Sequence, residues 1–246
     1  MTDSNDEETS DAWKQFEQSW RRGNPLNLWE AISTVSPVYR RDLAVEFAMI
    51  DLEWRWRLNI DNEPRDTRHY AGMLTALQLD AEHYVSMLEH EFIVRSQWGD
   101  RPTIDEMLDG FPSAGELHSV LETALDENFP VFCFLKKEDE RLLEHRVKLV
   151  TSFGRQSADD ADGKYSISFD KASTRCVIAD ANETAIAESH LEIKRIGADR
   201  ILAEIHAPNT NCLAADQPLL PHQPSELRLP LKLQLENHQI FFDCGF

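Results

Sequence analysis

Near Arg146 this chain changes period. Upstream, apolar residues recur at spacings of three and four, and Leu43, Phe47, Ile50 and Trp54 form one such stripe. Downstream, Leu227, Leu229, Leu231, Leu233 and Leu235 alternate with other residues, and Ile240-Phe241-Phe242 follows after Glu236-Asn237-His238. A period near 3.6 places side chains along one face of a helix, and a period of two places them on one face of a strand. The two patterns cannot share one element type. The expected fold class is therefore α+β with two domains: an all-α helical module, then an antiparallel β-sandwich. The 246 residues suffice for two cores.

Residues 1–10 are acidic and read as a disordered tail, with Asp11 capping a helix that carries Trp13, Phe16 and Trp20. A short helix follows around Leu28–Ile32. Ser36-Pro37 reads as N-cap and first turn of a long helix to about Leu58. Asp66 or Thr67 starts another, containing Tyr70 and Met73, and Asp80 to Trp98 forms a third with Tyr84, Leu88, Phe92 and Arg95 on one side. Thr103 caps a short helix from Ile104 to Leu108, and Ser113 begins one with Leu117, Leu121 and Leu125. A weak repeat runs through this half: a long helix ending in Arg and Trp, a proline turn, then a short helix. It predicts two similar hairpins packed together, with Trp54, Trp56 and Trp98 as core anchors.

The expected domains are the tail 1–10, a helical domain 11–126, a linker 127–145 and a sandwich 146–246. Strands are predicted over Val147–Phe153, Tyr165–Phe169, Arg175–Ile178, Leu191–Arg195, Ile201–Ile205, Leu227–Leu235 and Gln239–Asp243, with a hairpin turn at Glu236-Asn237-His238. Frequent loops between short strands suit a sandwich.

Composition narrows the function. A net charge of −19 argues against nucleic acid and anionic membranes as partners, because both would repel the chain. The N-terminus lacks a signal-peptide pattern, and no apolar run reaches the ~20 residues that span a bilayer. Cys133, Cys176, Cys212 and Cys244 are dispersed without C-x-x-C, which reads as reduced thiols in a cytoplasmic protein with no zinc site. Asp160, Asp162 and Gly163 have a partial calcium-loop spacing, but Ala158 and Phe169 stand where end ligands belong, so no metal is expected. No G-x-G-x-x-G, H-R-D, D-F-G, Walker loop, G-x-S-x-G or H-E-x-x-H occurs. The chain is read as a non-enzyme without a cofactor.

Three clusters then stand out among the predicted strands: Gly154-Arg155, Ala187-Glu188-Ser189-His190, and Asn209-Thr210-Asn211-Cys212. Their order resembles the ligand-binding loops of forkhead-associated (FHA) domains, β-sandwiches of the SMAD/FHA type that bind phosphothreonine peptides. The resemblance covers about residues 146–246. It implies that Arg155 of a G-R motif binds phosphate, for which a guanidinium offers paired donors. It implies that Gly154 and His190 are structural loop residues, and that Thr210 and Asn211 touch phosphate and peptide backbone. Ser189 is a further candidate contact, as is Lys171. The sequence departs from the family at Ala187, where a serine donates to phosphate, at Asn209, which stands for a serine, at Cys212, where glycine is usual, and at Glu188. Losing the charge-assisted hydrogen bond costs about 1.5–3 kcal/mol. Glu188 would also repel a dianion.

A second resemblance lies in Trp98-Gly99-Asp100-Arg101-Pro102-Thr103-Ile104-Asp105-Glu106-Met107-Leu108, with Phe111-Pro112 and Leu52–Arg57. This is similar to a segment ahead of the catalytic domain in planctomycete-type serine/threonine protein kinases, over roughly residues 37–125, and implies a regulatory or docking module. The expected function is a protein–protein interaction module tied to kinase signalling, with weakened or lost phosphothreonine binding. Its partner would be a protein carrying phosphothreonine or a serine/threonine kinase. Two alternatives stand: a working phosphothreonine reader, and an enzyme with an unrecognised site at the domain junction.

Overall fold

The structure is a computed structural model and describes residues 3–60, 66–111, 114–137, 140–157, 163, 165–170, 173–208 and 211–245. It comprises two compact units, Met1–Arg101 and Pro102–Phe246. Among the described residues no helix is long and apolar enough to cross a membrane.

The first unit is helical: α1 (Asp3–Arg21), α2 (Leu28–Thr34), α3 (Arg40–Arg57), a 3-10 turn at Thr67–Tyr70, α4 (Ala71–Ala76) and α5 (Ala81–Trp98). Residues 3–10 are thus the first turns of α1 and not a tail; an acid-rich run suits the positive end of a helix dipole. Ser36-Pro37 precedes α3 in a turn, with the Tyr39 N–H on the Ser36 carbonyl, so it does not cap the helix. Asp80, where the helix is expected to begin, caps α5 by accepting from the His83 N–H. Leu43, Phe47 and Ile50 are buried, and Phe16 of α1 stacks on Phe47 with centroids 4.5 Å apart.

The repeat has a physical content. α3 and α5 each hold an acid four residues before an arginine: Arg55 donates to Asp51 at 2.7 Å, and Arg95 to Glu91 at 2.9 Å. Both acids are buried and both reach the segment between the helices, Asp51 accepting from the Tyr70 hydroxyl and Glu91 from the Thr67 N–H, each at 2.7 Å. Burial and the Asp51 carboxylate together push the Tyr70 hydroxyl pKa up. The tryptophans differ from expectation. Trp54 and Trp56 are half-buried, and Trp98 is 50% exposed with the Arg57 guanidinium over its ring at 4.9 Å. Their flat faces meet arginines.

The second unit begins with α6 (Ile104–Leu108) and α7 (Ala114–Asn128). Thr103 caps α6 in a reciprocal box with Glu106. Among the described residues twelve strands follow: β1 (Val131–Lys137), β2 (Glu140–Val147), β3 (Val150–Arg155), β4 (Ile167–Asp170), β5 (Ser173–Ala179), β6 (Leu191–Arg195), β7 (Arg200–Ile205), β8 (Cys212–Ala214), β9 (Gln217–Pro218), β10 (Ser225–Arg228), β11 (Leu231–Leu235) and β12 (His238–Cys244). They form two six-stranded sheets, β2-β1-β12-β11-β8-β9 and β10-β7-β6-β3-β5-β4. Every pair is antiparallel except β3 with β5. Between the sheets lies one apolar core that includes Val131, Leu135, Phe153, Leu191, Leu233 and Phe242. Phe153 meets Phe242 edge to face at 6.1 Å. All four cysteines are free thiols, and a hydrogen bond with Cys133, together with burial, raises the Cys176 pKa.

Three boundaries are corrected. Val131–Lys137 and Glu140–Val147 pair as β1 and β2 and are not a linker, because the apolar run puts Val131, Cys133 and Leu135 into the core. The helices α6 and α7 belong to the sandwich unit, not the helical domain, so the second proline-turn repeat is split at Arg101/Pro102. The Ile104 N–H donates to the Ile196 carbonyl at 2.9 Å, and Arg200 of β7 reaches Glu106 at 3.0 Å. Finally, the leucine alternation 227–235 is two strands in opposite sheets, β10 on β7 and β11 between β12 and β8. The chain crosses at the cis Leu229–Pro230 bond, where proline offers no N–H to a ladder.

Candidate functional site

The site is built from the end of β3 outward. Pairing of β3 with β5 shifts register between Gly154 and Arg155, a bulge that re-aims the strand end. The Arg155 N–H leaves the ladder and donates to the Ala187 carbonyl at 2.9 Å, and Arg175 donates to the Arg155 carbonyl at 2.9 Å. Gly154 is required by close approach. A Cβ there would lie 1.8 Å from the Glu188 carbonyl oxygen and 3.1 Å from that of Ala187. Both obstacles are backbone, so neither can rotate away. Gly154→Ala should cost about 1–3 kcal/mol in chemical denaturation, the range of overpacking. A loss below about 0.5 kcal/mol, an ordinary surface effect, would mean that the loop moves aside freely.

The facing loop is held at both ends. Ile186 is buried in the core. His190 is fully buried and its Nδ1 accepts from the Ala187 N–H at 2.9 Å, which requires the neutral ring protonated on Nε2. Burial lowers the His190 pKa and the nearby Glu236 carboxylate opposes that shift. Between these anchors, Glu188 and Ser189 are exposed.

Arg155 does not present a free guanidinium. One nitrogen donates to the Ala181 carbonyl at 2.9 Å and the other meets the Glu188 carboxylate at 3.2 Å. The two side chains are 27% and 58% exposed, so this is a solvent-facing pair. Such pairs contribute about 0–1 kcal/mol. The third cluster joins from the β11–β12 turn: the Asn211 N–H donates to the Glu236 carboxylate at 3.0 Å, and the Glu236 N–H to the Asn211 carbonyl at 3.1 Å. Cys212 is buried in β8, where burial and Glu236 push its thiol up to about 12, so it packs as a small apolar residue.

The fold thus brings Gly154, Arg155, Glu188, Ser189 and His190 together, with Asn211 linked through Glu236. Thr210, Asn209, Lys171 and the partial calcium loop at 158–162 lie outside the described residues. Sequence reasoning missed Glu236 and Ala181 as partners. The first sits in a hairpin turn that reads as a connector, and the second contributes only a carbonyl.

No protein-family model matches the chain, and no curated protein matches it. Solved structures do. The C-terminal half is similar to the FHA domain of CT664 from Chlamydia trachomatis, at 9% identity and a TM-score of 0.34, covering 46% of this chain and 96% of that one. It is similar to the FhaA FHA domain complexed with the intracellular domain of Rv3910, at 15% identity and a TM-score of 0.31, covering 46% and 98%. It is also similar to the MEK1 FHA domain in complex with a HOP1 phosphothreonine peptide, at 11% identity and a TM-score of 0.32, covering 46% and 97%. At these identities the likeness is one of fold. None of these comparisons extends to the kinase-flanking resemblance of residues 37–125.

Proposed function

We propose that this chain is a non-catalytic protein-interaction module whose sandwich carries a degenerate phosphothreonine pocket. The observation that carries the reading is the Arg155–Glu188 pair. A carboxylate of this chain occupies the guanidinium that a phosphate would need, and Ala187 offers no hydroxyl beside it. Glu188 acts twice against a phosphopeptide, by competing for Arg155 and by repelling the dianion. The pair is weak enough to be a competitor rather than a permanent plug, so binding is reduced and recoverable. A role in kinase signalling is the finer part of the proposal and rests on the sequence resemblance of residues 37–125 alone.

The test is titration of the full chain with phosphothreonine peptide libraries. The wild type should bind weakly, Glu188→Gln should bind about tenfold more tightly, and Arg155→Ala should abolish the gain; tenfold corresponds to about 1.4 kcal/mol. Micromolar binding by the wild type with no change in Glu188→Gln would instead establish the second reading, a working reader. That reading is favoured by the exposure of Glu188, which leaves it free to swing out. Absence of binding in every variant would show that Arg155 is not a phosphate site.

A further inference from the structure

We propose that Glu204, His206 and His222 form a binding site for one divalent transition-metal ion, with zinc as the natural occupant class. One donor atom from each of the three lies within 4.8 Å of the other two. The arrangement follows from the fold. Glu204 is in β7 and His206 directly follows it, two residues on, so both side chains leave the strand on the same side. The backbone fixes them there: the His206 N–H donates to the His190 carbonyl at 2.9 Å, continuing the β6–β7 ladder. His222 comes from a distant loop, but it too is tied to β7. Its N–H donates to the Ile205 carbonyl at 2.8 Å, beside an isolated bridge between Ile205 and Pro221. Three ligands on one hydrogen-bonded ribbon need little reorganisation to close on an ion.

The geometry and donor set select the ion. His206 Nδ1 and Glu204 Oε1 are 3.8 Å apart. In a tetrahedral zinc site with bonds of 2.0–2.2 Å, ligand atoms stand about 3.4 Å apart, so small side-chain rotations suffice. Two imidazoles and a carboxylate suit zinc, cobalt or nickel, whereas magnesium and calcium favour all-oxygen shells. Glu204 and His206 are half-buried and His222 is exposed, which leaves a fourth position open to water or to a donor from another molecule. The competing reading is a surface contact between Glu204 and a protonated His206, which would need no metal.

Isothermal titration of the untagged, chelator-treated full chain with zinc chloride decides between them. Saturable binding of one ion per chain is expected, and cobalt should give the visible absorption of a low-coordinate site. His222→Ala and Glu204→Gln should each weaken zinc by about tenfold or more, since even outer-shell changes cost 10–100-fold. His222 is exposed with a left-handed backbone (φ 58°), so His222→Asn, which suits that conformation, should leave the thermal melt of the metal-free chain unchanged. Failure to bind zinc stoichiometrically would overturn the proposal. So would zinc binding that survives both His222→Ala and His206→Ala, because the ion would then sit elsewhere.

Discussion

A chain cut to residues 146–246 should not fold, whereas one starting at Pro102 should unfold cooperatively. The shorter fragment keeps every strand of the second sheet, and a sequence reading makes it the natural FHA-like domain. It lacks β1, which lies between β2 and β12 in the first sheet. Val131 and Leu135 are essentially fully buried against the sandwich core. Burying such side chains contributes about 1.5–3 kcal/mol each. Losing the pair removes about 3–6 kcal/mol from a domain whose whole stability is about 5–15 kcal/mol. The cut also bares the edge of β12, leaving the backbone groups that pair with β1 without partners. Urea melts followed by far-UV circular dichroism test this. A cooperative transition in the 146–246 fragment would show that β1 is dispensable.

Arg195→Ala should cost about 3–5 kcal/mol, the range for breaking a buried ion pair. The Arg195 side chain is fully buried, with the Asp126 carboxylate at 3.4 Å. It donates to the carbonyls of Leu125, which also accepts from the Phe129 N–H, and of Phe129, just beyond the end of α7 where the helix no longer supplies donors. Burial depresses the guanidinium to about 10, which still leaves it charged at neutral pH. Asp126 is also the partner of Arg146 and Lys148, so three cations converge on one carboxylate. Arg195→Met, which keeps the apolar length, should lose less than Arg195→Ala. A loss under about 1 kcal/mol for Arg195→Ala in denaturant would mean that this charge does not tie α7 to the sandwich.

Legibility followed locality. Helix α6 and its Thr103 cap are legible because a cap acts within one turn; the reciprocal Glu106 half of the box is seen only in the structure. The strand Leu191–Arg195 is equally legible, since Leu191 and Ile193 alternate with Glu192 and Lys194. The β1–β2 hairpin was hidden. Its inward residues sit in an unbroken apolar run, and its outward ones carry Lys136 and Arg141 over the rings of Phe241 and Phe134. Apolar residues on both faces, Val131, Cys133 and Leu135 inward and Phe132 and Phe134 outward, erase the polar–apolar alternation that marks a half-buried strand. The leucines from 227 to 235 misled in the opposite way: their period survives the crossing at Pro230, so two strands looked like one. In the candidate site, the residue types were visible but their partners were not. Glu188 reads as a repeller of phosphate; that it holds Arg155 follows only from a loop 33 residues away folding back over Gly154.

The adjacency of β1 and β12 has a consequence for biosynthesis. The first strand of the sandwich pairs with its last, Val131 opposite Cys244 and Lys136 opposite Gln239. The first sheet therefore cannot close until β12 has been synthesised. For the whole intervening synthesis β1 has only β2 beside it, with Val131, Cys133 and Leu135 uncovered, a state open to pairing with another nascent chain. The helical first unit, built from contacts nearer in sequence, has no such wait. The nascent chain should pass through an interval in which its front is folded and its back is adhesive, the stage at which a holdase would be expected to act.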